Sequence, residues 1–134
     1  MQGKAEQSRD KGPSSSAGTR GVAADLSVVK YDSHGLVPCV IQEWNTGEVL
    51  MLAYMDAEAL RRTVESGTTW FYSRSRQEYW NKGATSGNTQ TVVDVRYDCD
   101  ADAVLVFVDQ GEGVSCHTGE RTCFYRSLCA KEGA

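Results

Sequence analysis

The chain has 134 residues, of which 40% are hydrophobic and 24% are charged, and its formal net charge at pH 7 is −4. This size and composition predict one soluble globular domain with a core of its own. The negative net charge argues against a nucleic-acid-binding surface, which is normally basic. No apolar run is long enough to cross a bilayer. From the charge and the lengths of the apolar runs, we expect neither a nucleic acid nor a membrane as a partner.

The amino-terminal segment differs in composition from the rest of the chain. Residues 1–24 are rich in Gly, Ser, Ala and charged residues, which predicts a disordered tail followed by a single domain over 25–134. The segment also lacks the apolar core of a secretory signal. Together with five cysteines, this indicates a reducing compartment, and we expect a cytoplasmic protein. Cys39 and Cys129 are expected to be small buried apolar residues.

A hairpin and a helix are the first predicted elements of the domain. Residues 39–55 read as two strands joined at 45–47, where a glycine can supply the positive φ of a tight turn. One main helix is predicted at about 56–66, because Asp56 can cap its start and Gly67 can end it. Its predicted buried face carries Ala57, Leu60 and Val64.

Four further strands are predicted at 68–74, 89–98, 103–110 and 121–128. The second of these alternates, and its predicted inward residues are Val93, Val95 and Tyr97. The third is apolar on both faces, which indicates a more central strand. The pattern as a whole predicts an α+β domain of mainly antiparallel sheets with one substantial helix.

Three aspartates occupy alternate positions in DCDAD, directly before the predicted central strand. In an extended chain Asp98, Asp100 and Asp102 would lie about 6–7 Å apart on one face, and in a turn they would lie closer. Such a cluster of oxygen ligands suits a hard divalent cation such as Mg²⁺. The alternative is an ordinary solvated turn, since aspartate is a favoured turn residue, and this stretch alone favours that alternative.

A second group of possible metal ligands lies in SCHTGERTCF. The C-x₆-C spacing of Cys116 and Cys123 is too long for a standard zinc finger, yet a thiolate pair with a loop between can close on one ion. Cys99 could supply a third thiolate, which would leave tetrahedral zinc one open position for water. Zinc lowers the pKa of that water to about 7. His117 could transfer protons, act as a fourth ligand, or only form a hydrogen bond.

The stretch SRSRQEYWNKGATSGNTQ is a candidate anion-binding loop. Glycines at 83 and 87 would let backbone amides approach an anion closely, although the Walker order is absent. A polar surface loop is an equally supported alternative. The candidate phosphate-binding side chains are Arg74, Arg76, Lys82, Thr85, Ser86 and Asn88.

The motifs SRSRQEYWNKGATSGN, DCDAD and CHTGERTCF, in this order, resemble the phosphoribosyl-AMP cyclohydrolase family of histidine biosynthesis. The resemblance runs from about Leu36 to Arg126 and includes GEVLMLAYM. No sequence typical of the pyrophosphohydrolase domain that some relatives carry is visible, so we expect one activity.

The resemblance implies a roll or barrel-like domain in an interlocked homodimer whose zinc sites form between subunits. Cys99 would come from one subunit, and Cys116 with Cys123 from the other. It also implies Mg²⁺ held by Asp98, Asp100 and Asp102. One short segment would then present hard oxygen ligands to one metal and a soft sulfur ligand to another.

The implied reaction is the third step of histidine biosynthesis, hydrolytic opening of the adenine ring of 1-(5-phosphoribosyl)-AMP. Zinc-bound hydroxide would attack C6 and the N1–C6 bond would break, leaving the formimino-carboxamide ribotide. His117 is the candidate proton-transfer group, and the loop residues above are candidates for the phosphates.

Two rival functions make different demands on the sequence. A zinc-dependent nucleoside deaminase should show H-x-E and P-C-x-x-C, and neither is present. A structural zinc module would need four closed ligands, which is possible only if His117 completes the set.

Overall fold

The computed structural model describes residues 25–131. The predicted tail at 1–24 lies outside the described residues, as do residues 132–134. A short 3-10 helix over Leu26–Val28 precedes the regular elements of the described part. These are β1 (Val37–Glu43), β2 (Val49–Met55), α1 (Ala57–Ser66), β3 (Trp70–Ser73), β4 (Glu78–Asn81), β5 (Thr91–Tyr97) and β6 (Val104–Asp109).

The strands form a four-stranded sheet in the order β2-β1-β6-β5 and a two-stranded sheet of β3 and β4. All pairs are antiparallel except β1 with β6, which run parallel. The elements from β2 to β5 lie between these two strands in the chain and supply the long connection that a parallel pair needs. This confirms an α+β fold with mainly antiparallel sheets. Within residues 25–131 the larger sheet stays open, with β2 and β5 as its edges, so the expected barrel-like closure is absent there.

The hairpin and the helix form where their local signals predict them. Gly47 adopts a φ of +80° in the β1–β2 turn, and the Gly47 amide donates to the Glu43 carbonyl at 3.0 Å. The Asp56 carboxylate caps α1 by accepting from the Ala59 amide at 2.8 Å, and Gly67 ends the helix with a φ of +78°. No helix of the described part is both long and apolar enough to cross a membrane.

The buried face of α1 differs from the predicted one. Ala59, Leu60 and Thr63 are buried, Val64 is partly buried, and Ala57 is exposed because it begins the helix on the solvent side. The predicted inward position of Ala57 was therefore wrong.

One face of the larger sheet forms the core with α1 and β3. Residues alternate along β1 and β6, and the central position predicted for β6 is confirmed. Cys39 is fully buried as predicted. The most buried apolar side chains of this core include Val37, Ile41, Leu60, Phe71, Val104, Val106 and Val108.

The predicted alternation of β5 was wrong at two positions. A register shift between Val92 and Asp94 inserts an extra residue, and Val93 is 44% exposed. Val92 and Val95 pack against the core instead, and Tyr97 is 57% exposed at the end of the strand.

The last predicted strand is absent from the described residues after β6. Backbone groups there bond in other ways, as when the Cys123 amide donates to the Leu50 carbonyl at 2.8 Å. The Thr122 hydroxyl also donates to the Val49 carbonyl, at 2.7 Å. Cys129 is exposed, so its predicted burial was wrong.

Candidate active site

The three aspartates lie together in the tight connection between β5 and β6. The Asp98 carboxylate accepts from the amides of Asp102 at 3.1 Å and Ala103 at 3.2 Å. Ala101 takes a φ of +63°, and its carbonyl accepts from the Lys30 amide at 2.8 Å. These bonds define a turn, which was one of the two conformations predicted from the sequence.

The turn concentrates negative charge at its surface. One carboxylate oxygen from each of Asp98, Asp100 and Asp102 lies within 4.8 Å of the others, and all three residues are exposed. A hydrogen bond between the carboxyl groups of Asp100 and Asp102 raises the pKa of Asp102 and lowers the pKa of Asp100. Nearby is an open cavity of about 420 Å³, lined by Lys30, Tyr31, Asp32, Leu36, Pro38, Asp100 and Asp102.

The Cys116 and Cys123 thiols meet in the irregular segment after β6. The Cys116 amide donates to the Glu120 carbonyl at 3.1 Å, and the Gly119 amide donates back to the Cys116 carbonyl at 3.0 Å. This small loop brings the two thiols close enough for each to influence the pKa of the other.

The two thiols differ in acidity. The Thr118 hydroxyl donates to the Cys116 sulfur at 2.9 Å, and this hydrogen bond lowers the pKa of Cys116. Burial raises the pKa of Cys123, as does the negative charge of Cys116. Cys116 is therefore the readier thiolate of the pair.

Lys82 and His117 flank this thiol pair in different ways. The Lys82 ammonium donates to the Ser115 carbonyl at 2.6 Å, and burial lowers the pKa of Lys82 while the cysteine charges oppose that shift. His117 is exposed on the small loop, directly after Cys116.

The other phosphate-binding candidates are divided between two places. Arg74 lies over the Tyr54 ring at 4.0 Å, and Arg76 pairs with Glu78 at 3.3 Å, both at the exposed β3–β4 turn. Asn88 instead accepts from the Val114 amide at 3.4 Å, beside the cysteine segment. Thr85 and Ser86 are exposed between these two places.

Cys99 does not join the thiol pair within one chain. In the described residues, the only three acidic, histidine or cysteine side chains gathered within 4.8 Å are the aspartates. Cys99 precedes β6 and Cys116 follows it, and β6 is about 17 Å long. Cys123 bonds to edge strand β2, which is two strand spacings, about 10 Å, from β6.

A buried polar network beneath the cysteine segment was missed at the sequence level. It consists of Glu43, Gln90, Gln110, Ser115 and Arg121. The alternation of β1 does place Glu43 on the buried face, which was the available signal. Its partner Arg121 is remote in sequence, so the pairing itself left no local pattern.

Comparison with known proteins gives one consistent family. The sequence model of the family described as Phosphoribosyl-AMP cyclohydrolase matches residues 51–125. A Phosphoribosyl-AMP cyclohydrolase of Clostridium beijerinckii is 58% identical over 95 residues, covering 71% of this chain and 86% of that protein. One of Nitrobacter winogradskyi is 55% identical over 104 residues, covering 78% and 71%.

Longer relatives also match. The Histidine biosynthesis bifunctional protein HisIE of Oceanobacillus iheyensis is 56% identical over 100 residues, which cover 75% of this chain and 46% of that protein. The chain thus spans about half the length of the bifunctional relatives that it matches. From the matched region and these identities, the chain belongs to the phosphoribosyl-AMP cyclohydrolase family.

Proposed function

We propose that the chain hydrolyses 1-(5-phosphoribosyl)-AMP in histidine biosynthesis, opening the adenine ring between N1 and C6. A water oxygen bonds to C6, the N1–C6 bond breaks, and the departing nitrogen takes up a proton. Family membership supports this activity. The observation that carries it is the pair of adjacent thiols at Cys116 and Cys123, one of them favoured as a thiolate.

The donor set fits a zinc ion. Thiolates are the soft ligands that zinc accepts in proteins, and the hydrogen bond from Thr118 favours the thiolate of Cys116. With Cys99 as the third ligand, tetrahedral zinc would keep one coordination position for water. Zinc, when bound, lowers the pKa of such a water to about 7.

A second copy of the chain is needed to complete this ligand set. Cys99 and the thiol pair lie toward opposite corners of the same sheet, so one chain does not bring the three sulfurs together. In a two-fold dimer, Cys99 of each subunit would meet the thiol pair of the other. We therefore propose a homodimer with two shared zinc sites.

The outer face of the larger sheet is the surface that this partner would cover. Val40 lies opposite Leu52 on one side and Leu105 on the other, which makes an apolar row across three strands. Leu52 is 46% exposed. Stacking two such faces about a two-fold axis that lies between them, perpendicular to the line from Cys99 to the thiol pair, would place these opposite corners over each other. Pairing at either sheet edge would keep Cys99 far from the partner's thiols.

Three further roles are proposed: magnesium binding, proton delivery and phosphate binding. Asp98, Asp100 and Asp102 would hold Mg²⁺ beside Cys99, so that both metals lie at one site. His117, exposed next to Cys116, would deliver the proton to the departing nitrogen. The substrate phosphates would be held by Arg74, Arg76, Lys82, Thr85, Ser86 and Asn88. The free thiols suit a reducing compartment, and we place the enzyme in the cytoplasm.

The test is a ring-opening assay on the purified full chain, with metal analysis of the same sample. We expect turnover of phosphoribosyl-AMP, loss of turnover after chelation, and recovery when zinc is restored. Protein that binds zinc but leaves this substrate intact would contradict the activity while keeping the metal site.

A further inference from the structure

We propose that Arg121 is the positioning residue of the zinc-binding thiols, acting through a buried polar network that fixes the segment carrying Cys116 and Cys123. This inference rests on the proposed zinc site, but it concerns residues to which that proposal gives no role. The segment has no regular secondary structure in the described residues, so isolated backbone hydrogen bonds and hydrogen bonds from side chains together determine its path.

The Arg121 guanidinium ties the segment to the β1–β2 hairpin. Its Nη2 donates to the Glu43 carboxylate at 2.7 Å and its Nε to the Glu48 carboxylate at 2.8 Å. Its Nη1 donates to the carbonyls of Gly111 at 2.6 Å and Gly113 at 3.0 Å. One side chain thus holds both the start of the segment and the rigid hairpin, since the guanidinium presents several donors in a fixed plane.

Glu43 makes this arrangement specific for arginine. Its side chain is only 3% exposed, and a buried carboxylate requires a paired charge. The same Glu43 oxygen also accepts from the backbone amide of Gln110 at 3.2 Å, at the point where the segment leaves β6. A lysine at position 121 would keep the charge but could not reach two carboxylates and two carbonyls at once.

A second layer of the network reaches the residue next to Cys116. Gln90 is fully buried. Its side-chain amide donates to the side-chain carbonyl of Gln110 at 2.8 Å and to the Ser115 hydroxyl at 3.3 Å. The Ser115 hydroxyl in turn donates to Gln110 at 2.6 Å, and the Ser115 amide donates to the Arg121 carbonyl at 3.0 Å. Cys116 follows directly, so its backbone position is set by this network.

Metal binding depends on this positioning because two sulfurs must stay at a fixed separation to share one ion. Residues that orient metal ligands from behind typically change metal affinity about 10-fold to 100-fold when replaced. Arg121 lies between the two cysteines in sequence, but its guanidinium donates to other residues and not to the thiols. It therefore acts on the ion through the backbone of the segment.

The test compares Arg121→Lys with Arg61→Lys in the full chain. Arg61 is a matched control because it also bridges two glutamates, Glu58 and Glu65 at 2.6 Å each, but on the exposed face of α1. Zinc affinity is measured by competition with a chromophoric chelator, and the thiolate-to-metal absorption of the cobalt-substituted protein reports ligand geometry. We expect Arg121→Lys to weaken zinc about 10-fold to 100-fold and to alter the cobalt spectrum, and Arg61→Lys to match wild type.

Wild-type zinc affinity and cobalt spectrum in folded Arg121→Lys would overturn the inference while leaving the proposed function intact. If wild-type protein bound no zinc, the proposed function would fail first. Should Arg121→Lys not fold, Ser115→Ala decides the question, since it removes a single hydroxyl from the network. A zinc affinity below wild type in folded Ser115→Ala supports the inference, and an unchanged affinity overturns it.

Discussion

At the scale of single residues, the two thiols of the proposed zinc site differ because their hydrogen-bond partners differ. Cys116 accepts from the Thr118 hydroxyl, which stabilises its thiolate, while partial desolvation and the charge of Cys116 raise the pKa of Cys123. A neighbouring hydroxyl therefore favours the thiolate form that Cys116 would need as a ligand of the proposed zinc ion.

We expect iodoacetamide to modify Cys116 of metal-free protein faster than Cys123 at any pH below about 9. A lowered pKa gives a larger thiolate fraction at each such pH, and the thiolate is the reacting species. Thr118→Val removes the hydrogen bond, so the modification profile of Cys116 should move to higher pH. Peptide mass spectrometry after timed labelling measures both effects.

Two internal comparisons accompany that experiment. Cys39 should stay unmodified in folded protein, because burial raises its pKa to about 12. Thr85→Val, in an exposed loop, should leave the Cys116 profile unchanged. An unshifted profile in Thr118→Val would show that the Thr118 hydroxyl does not set the acidity of Cys116.

The sequence predicted which candidate side chains lie near each other where the two positions are close in the chain. Asp98, Asp100 and Asp102 fall within one turn, and Cys116 and Cys123 within one small loop, so their spacing already indicated proximity. The pairing of Glu43 with Arg121 joins β1 to the far end of the chain, and only the folded sheet brings them together.

At the scale of elements, local signals predicted well where a cap or a turn residue decides the conformation. The β1–β2 hairpin and α1 follow from Gly47, Asp56 and Gly67. The extra residue in β5 depends on its pairing with β6, which local alternation does not encode. The stretch 121–128 has strand-like residues, but it forms no strand. The side chain of Arg121 donates to Glu43 of β1, and the side chain of Thr122 donates to the Val49 carbonyl of β2.

The loop between β4 and β5 gives a prediction about two glycines. Both Gly83 and Gly87 have positive φ, at +88° and +84°, so alanine at either position is strained by about 1–2 kcal/mol. A Cβ at Gly83 would also clash with the Thr89 backbone nitrogen, whereas a Cβ at Gly87 meets nothing within 4 Å. Gly83→Ala should therefore lower the free energy of unfolding in urea clearly more than Gly87→Ala.

This pair of variants also separates two roles of the loop. If Gly83 mattered only for admitting an anion, alanine there would weaken substrate binding and leave stability close to that of Gly87→Ala. Equal unfolding free energies would thus contradict the close packing of Gly83 against residues 88–89.

For the complete protein, the separation of Cys99 from the thiol pair would make activity a property of two copies in the proposed homodimer. We expect mixed Cys99→Ala and Cys116→Ala subunits to recover about one quarter of wild-type activity, because half of randomly formed dimers are hybrids with one intact site of two. Each variant alone should be inactive. Turnover is measured after unfolding and refolding the mixture together, and no recovery despite proven hybrids would indicate a site within one chain.

The outer sheet face, which we propose as the dimer surface, gives a second prediction. Leu52→Glu places a charge in the exposed apolar row of the outer sheet face, so it should shift the protein from dimer to monomer without unfolding it. Analytical ultracentrifugation and circular dichroism measure the two properties. Leu128→Glu is the control, since Leu128 is fully exposed away from the strands, and an undissociated Leu52→Glu dimer would exclude this face.

The parallel pairing of β1 with β6 also has a consequence for how the protein is made. During synthesis β1 emerges early, while β6 leaves the ribosome only after α1 and the next three strands have been translated. Until then the nascent β1–β2 hairpin has an unpaired inner edge that includes Cys39 and Ile41. We expect closure of the sheet to be a late and slow event, and the unfinished chain to be prone to aggregation and to chaperone binding.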